Sequence, residues 1–250
     1  MKNNYFPLLI LVLLICNLGI SQNDKINILE NDLVMNQLKE TQNKYLVYIE
    51  GPDGSIMDMA VWERNVSFGY FNNEEVINIE QKWKNQDKAK TRSIFSISKR
   101  KNFQPLYHYA ASGKGAVEAY DFKETKIIGS DSIATNTKKD FILDLTEPTL
   151  NWELDMEIFQ TLPFALHKAF DINFYHPGSK TPPSIYTYTV VDEKETTLAN
   201  GMTTDCWLLK IDYDEKNNAV FWIDKNTKEV IKMKEVFGQI TRYKVKFITP

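Results

Sequence analysis

From residue 185 onward, apolar residues fall at every second position in short runs, at 185–191, 204–213, 219–223, 229–236 and 241–247. Alternation of that kind puts successive side chains on opposite faces of a strand. In the second run Trp207, Leu209, Ile211 and Tyr213 share one face, while Cys206, Leu208, Lys210 and Asp212 share the other. Between the runs lie Ala199-Asn200-Gly201, Glu215-Lys216-Asn217-Asn218 and Asp224-Lys225-Asn226-Thr227. Short polar stretches like these close hairpins, so the pattern predicts an antiparallel meander with one wet face.

The same rhythm fills the first half of the chain, with runs at 44–50, 56–63, 65–71, 75–84, 91–98, 105–110, 115–123, 126–130 and 140–145. Gly51-Pro52-Asp53-Gly54 and Asn72-Asn73-Glu74 supply turns. A strand at 169–175 leads through Pro177-Gly178 and Pro182-Pro183 into the meander, and the proline pair is expected at the seam between two halves of one sheet. Residues 22–41 are polar, with Leu29, Leu33 and Leu38 spaced to line a short helix. One segment, 149–162, breaks the strand rhythm altogether. At helical spacing Trp152, Met156 and Phe159 form a stripe, with Leu154, Ile158 and Leu162 beside it. Asn151 can cap its start, Glu153 and Asp155 suit the positive end of its dipole, and Pro163 stops it. Apolar residues cover roughly half its circumference, more than an exposed helix carries. The segment is therefore expected on the concave side of the sheet, with Glu157 on a solvated face. The fold class is mostly β (α+β), a large curved antiparallel sheet with one central helix.

The N-terminus changes the picture of where the chain works. Lys2, an apolar run at 8–15 and the small residues of Gly19-Ile20-Ser21 predict a signal peptide over 1–21 and a single domain over 22–250. The apolar run is shorter than the ~20 residues a membrane span needs, so no transmembrane anchor is expected after cleavage. Export places the protein in the periplasm or outside the cell. Cleavage also removes Cys16 and leaves Cys206 alone, which rules out an internal disulfide and makes Cys206 a small buried hydrophobe. The net charge of −3 lacks the basic face that nucleic acid requires. With 14 Phe, 12 Tyr and 5 Trp against 10 Gly, the composition favours broad pleated sheet.

Candidate chemistry adds little. His108, His167 and His176 lack metal-ligand spacing, and His108 on a strand reads as a hydrogen-bonded structural histidine. Cys206 lies mid-strand with no helix N-terminus to activate it. Ser96-Ile97-Ser98-Lys99 ends a strand, Ser112-Gly113-Lys114-Gly115 reads as a hairpin turn, and Asp212, Asp214 and Asn218 read as a solvated turn. Glu153 and Glu157 are helix acids, a carboxylate pair only in the enzyme alternative. No metal or cofactor is expected, and the protein is read as non-enzymatic. Its aromatic sheet and apolar helix point to a lipid-like or other apolar ligand, lined by Trp152, Met156, Phe159, Trp207, Leu209 and Trp222. The alternative is a scaffold module that docks an envelope protein by a sheet edge or by the basic loop 99–101.

Several stretches carry a resemblance: Ala60-Val61-Trp62-Glu63-Arg64, Phe103-Gln104-Pro105-Leu106-Tyr107, the helix running into Leu162-Pro163-Phe164, the run 201–210 and Phe221-Trp222-Ile223-Asp224. Together they resemble periplasmic domains of unknown function grouped with the lipoprotein carriers LolA and LolB. That resemblance implies a half-open β-barrel of about eleven strands with helix across its mouth, acyl chains in the cavity and no catalytic residues to carry over.

Overall fold

The computed structural model describes residues 24–25 and 33–248. The expected signal peptide and Leu29 lie outside them. In chain order the strands begin with β1 (Asp24–Lys25), β2 (Thr41–Glu50), β3 (Ile56–Phe71), β4 (Glu74–Asn85), β5 (Arg92–Lys99) and β6 (Pro105–Ser112). They continue with β7 (Val117–Phe122), β8 (Lys126–Gly129), β9 (Ile142–Asp144), β10 (Leu150–Asn151) and β11 (Ala169–Tyr175). The meander is β12 (Ser184–Thr197), β13 (Thr203–Asp212), β14 (Asn217–Asp224), β15 (Val230–Phe237) and β16 (Ile240–Lys246).

All belong to one sheet. Fifteen strands follow one another in the order β1-β11-β12-β13-β14-β15-β16-β2-β3-β4-β5-β6-β7-β8-β9, and β10 pairs with β11 beside β1. The count exceeds the expected eleven. Two-residue pieces such as β1 and β10 leave no alternation to read, and eleven came from the resemblance rather than from the runs. The runs at 56–63 and 65–71 are a single strand of 16 residues, β3. The seam between the two halves also differs from expectation. Pro182-Pro183 sits in the β11–β12 connection, whereas the halves join where β16 pairs antiparallel with β2.

Local chemistry explains the turns. Asn72 and Asn73 both take positive φ, 50° and 63°, as a two-residue hairpin loop requires between strands of right-handed twist. Asp53 Oδ1 accepts the Ser55 N–H at 3.1 Å, and Asp224 Oδ1 accepts those of Asn226 at 2.8 Å and Thr227 at 2.7 Å. Leu33 and Leu38 pack into the core, flanking a 3₁₀ turn (Met35–Gln37) in place of the expected helix.

The helix, α1 (Asp155–Gln160), is six residues long and follows a 3₁₀ turn, Trp152–Leu154. It is shorter than the apolar spacing suggested because Leu150 and Asn151 are drawn into the sheet against β11. Asn151 caps as expected, its Oδ1 accepting the Glu153 N–H at 3.0 Å. Every residue of α1 is buried. Leu154, Met156, Ile158 and Phe159 share one core with Tyr45, Trp62 and Ile79 of β2–β4 and with Tyr188, Leu209, Phe221 and Met233 of β12–β15. Both halves of the sheet therefore turn the same face to this helix. Phe122 of β7 meets Tyr175 of β11 edge-on at 6.1 Å, which brings the two ends of the sheet together by side chains. Glu157 is not solvated: it is buried against Arg64, because the helix has no outward face.

Candidate functional site

The inward rows of the sheet change character toward the end where α1 begins. On β4, Ile77 and Ile79 are followed in phase by Gln81 and Trp83; on β15, Met233 is followed by Glu235 and Phe237. Tyr213 continues the inward row of β13 just past the end of the strand, and β16 contributes Arg242 and Lys244. Trp62 and Arg64 of β3, Arg92 of β5, Tyr186 of β12, and Trp152, Glu153 and Asp155 at the helix entrance complete the wall. They enclose an open cavity of about 530 Å³, within the ~300–1,000 Å³ of small-molecule sites.

One side of the cavity is aromatic. Trp62 and Trp83 stack at 4.8 Å with 19° between planes. Trp152 lies on the His176 ring at 4.1 Å and meets Tyr186 edge-on at 4.8 Å. Burial lowers the His176 pKa, and its Nε2 lies 3.1 Å from the Tyr186 hydroxyl.

The other side is a network of paired charges. Arg64 Nε donates to Glu157 Oε1 at 2.7 Å, and an Arg64 terminal nitrogen donates to the other Glu157 oxygen and, at 2.6 Å, to the Glu153 carbonyl. Gln81 Nε2 donates to the same carbonyl at 3.1 Å, and Gln81 Oε1 accepts from Trp62 Nε1 at 3.1 Å. Arg92 pairs with Glu153 at 3.1 Å, and Arg242 with Glu235. Burial pushes the Glu157 carboxyl up and the adjacent guanidinium pulls it back. Burial alone would depress Arg64, but Glu157 carries it above its ordinary value. The bidentate geometry fits a charged pair. Lys244 stands apart: it is 9% exposed, and burial lowers its pKa against the pull of Asp155. Its ammonium lies 4.5 Å from the Trp62 ring centroid.

Of the six residues expected around an apolar ligand, Trp152 lines this cavity. Met156, Phe159 and Leu209 are sealed in the core, with Phe159 edge-on to Tyr188 at 4.8 Å and to Phe221 at 5.0 Å. Trp207 stacks on Phe164 at 6.2 Å beneath the Lys225 ammonium, and Trp222 lies on the outer face of β14 under Lys232, 5.0 Å from its ring. The apolar slot is thus filled by the helix, and the open space lies where the inward rows turn polar. Arg64 sits in phase with Trp62 and Val66, Gln81 with Ile77 and Ile79, and Lys244 with Arg242. Charged or amide residues in phase with a core row were the signal that sequence reasoning passed over.

The other singled-out groups lie elsewhere. His108 is buried with Nδ1 3.0 Å from Ser96 Oγ, and burial followed by the Arg92 charge depresses its pKa to about 3. Burial pushes the Cys206 thiol up to about 11. Lys99 pairs with Glu74 at 3.0 Å and Arg100 covers the Phe68 ring at 3.9 Å, so the basic loop is tied to the β3–β4 hairpin. Among the described residues, no three His, Cys, Asp or Glu side chains are grouped to hold a metal ion.

No curated protein and no solved structure matches this chain. Residues 44–245, from β2 through β16, match the family described as Protein of unknown function (DUF3108), and the chain belongs to that family.

Proposed function

We propose that this is an exported, non-enzymatic binding protein of the bacterial envelope that takes an amphiphilic, lipid-like ligand in the cavity beside α1. The observation that carries the reading is the cavity itself: about 530 Å³ of open space with stacked indoles on one wall and ordered charges on the other. An apolar chain can lie along Trp83, Trp152 and Phe237 while a polar head faces Arg242 and Lys244. The resemblance of the sequence to the LolA and LolB carriers points the same way. Native mass spectrometry of protein purified from the periplasm tests the proposal. A bound mass that leaves on delipidation and lowers the melting temperature as it goes is the expected result. Ligand-free mass, with a melting temperature unmoved by delipidation, would remove the reading.

A docking module is the second reading. It is favoured by Ile56, Met57 and Met59, exposed by 50–61% on one stretch of β3. A crosslinked pull-down that yields a protein partner and no lipid would select it.

A further inference from the structure

Resting on the binding-protein reading, a finer statement can be made about the ligand's head. The cavity lining holds Arg64, Arg92, Arg242 and Lys244 against Glu153, Asp155, Asp214 and Glu235. Three of the four cations are already bound to carboxylates: Arg64 to Glu157, Arg92 to Glu153 and Arg242 to Glu235. Asp214 is spent on its own loop, where it accepts the Lys216 and Asn217 N–H groups. One charge of each sign remains without a direct ionic contact, Lys244 and Asp155, which attract one another across the cavity. Lys244 is 9% exposed, and its close neighbour is the face of Trp62 rather than a carboxylate. Asp155 is 6% exposed, and the bond shown for its carboxylate is Oδ1 accepting the Met156 N–H at 2.7 Å.

Attraction across a gap recovers less of the cost of taking an ammonium and a carboxylate out of water than direct contact with an opposite charge does. Each gains by meeting an opposite charge brought from outside. An anionic head alone would satisfy Lys244 but be repelled by Asp155, and a cationic one would have the reverse fault. We propose that the cavity selects a zwitterionic group, its phosphate or carboxylate on Lys244 and its ammonium on Asp155. The shared chemistry could come from a phosphoethanolamine lipid headgroup or from a small free zwitterion.

Quenching of tryptophan fluorescence in the full chain separates these cases. The probes are lauroyl lysophosphatidylethanolamine, the matching lysophosphatidylglycerol (which keeps the phosphate and loses the ammonium), and free O-phosphoethanolamine. The expected result is that the ethanolamine lipid binds about tenfold or more tightly than the glycerol lipid. Lys244→Met and Asp155→Asn should each weaken it by a similar factor, and Asp155→Asn should strengthen the glycerol lipid. Comparable binding of free O-phosphoethanolamine would support the zwitterion site and mark the free molecule as its source. Melting curves of both variants confirm that they fold. Equal affinity for the two lipids, or loss confined to one variant, overturns the zwitterion assignment and leaves the amphiphile reading standing. No quenching by either lipid or by the free zwitterion sinks both.

Discussion

Replacing Arg64 by Met tests whether the floor of the cavity is an ion pair that the fold depends on. The guanidinium makes two bonds to the Glu157 carboxylate and one to the Glu153 carbonyl. Both members of the pair have 2% side-chain exposure, so water cannot replace the lost partner. Removing one half of such a pair leaves an uncompensated buried charge and typically costs about 3–5 kcal/mol. For a domain of this size that corresponds to a fall of roughly 6–20 °C in melting temperature. The penalty carries a pH signature. Without Arg64, burial raises the Glu157 pKa in the folded state above the ~4.3 of the unfolded chain. The unfolded chain then releases its proton first as pH rises, so the part of the destabilisation that comes from the unpaired carboxylate is absent below ~4.3 and grows until the raised folded pKa is passed, while the lost bond to the Glu153 carbonyl is felt at every pH. The double variant Arg64→Met/Glu157→Met should recover most of the loss, because apolar groups of similar volume can replace a buried pair at little cost. Calorimetry between pH 4 and 8 is the assay. A single variant that melts with the wild type, or a double variant worse than the sum of the singles, would refute a buried charged pair.

His108 gives a second pH prediction. It stays neutral down to about 3 in the folded protein, whereas the unfolded chain takes up its proton near ~6.5. Its contribution is therefore fully present above ~6.5 and lost as pH falls from there toward 3. His108→Gln should flatten the dependence of melting temperature on pH in that window; an unchanged slope would refute the assignment. The Cys206 thiol, buried and pushed up to about 11, should react with a disulfide reagent far more slowly in the native protein than in denaturant. Similar rates in the two states would show that β13 leaves it accessible. A Cβ on Gly129 would lie 1.8 Å from the Lys138 carbonyl oxygen. Gly129→Ala should therefore lower stability by about 1–3 kcal/mol in urea titration, and an unmoved midpoint would refute the close backbone approach.

Period-two alternation was enough to read the sheet, because one buried face imposes in-out order on a long strand such as β3, where Trp62, Arg64 and Val66 are buried in turn. The register of the halves was not legible. Nothing in the run 241–247 says that it pairs with residues 45–50 rather than closing on a sequence neighbour. The helix was found by its period, yet its apolar stripe misled the site assignment. Met156 and Phe159 are apolar because α1 is enclosed, and the same enclosure buries Glu157, which a one-faced helix would have exposed. Trp222 was misplaced for a different reason: aromatic residues also serve the outer face, where Lys232 covers the ring. The cavity was visible only as polar residues in phase with the core, a weak signal until the strand order sets Arg64, Gln81 and Lys244 around one space.

The β16–β2 pairing carries a consequence for how the molecule is made. Tyr45 finds its ladder partner at Lys246, so β2 must wait with one edge bare until nearly all the other described strands have been synthesised. A chain that cannot finish its sheet early stays open to the solvent through most of its synthesis. Stopping synthesis ahead of residue 240 should leave the product protease-sensitive. If that shortened chain resisted digestion, late zippering would not govern its maturation.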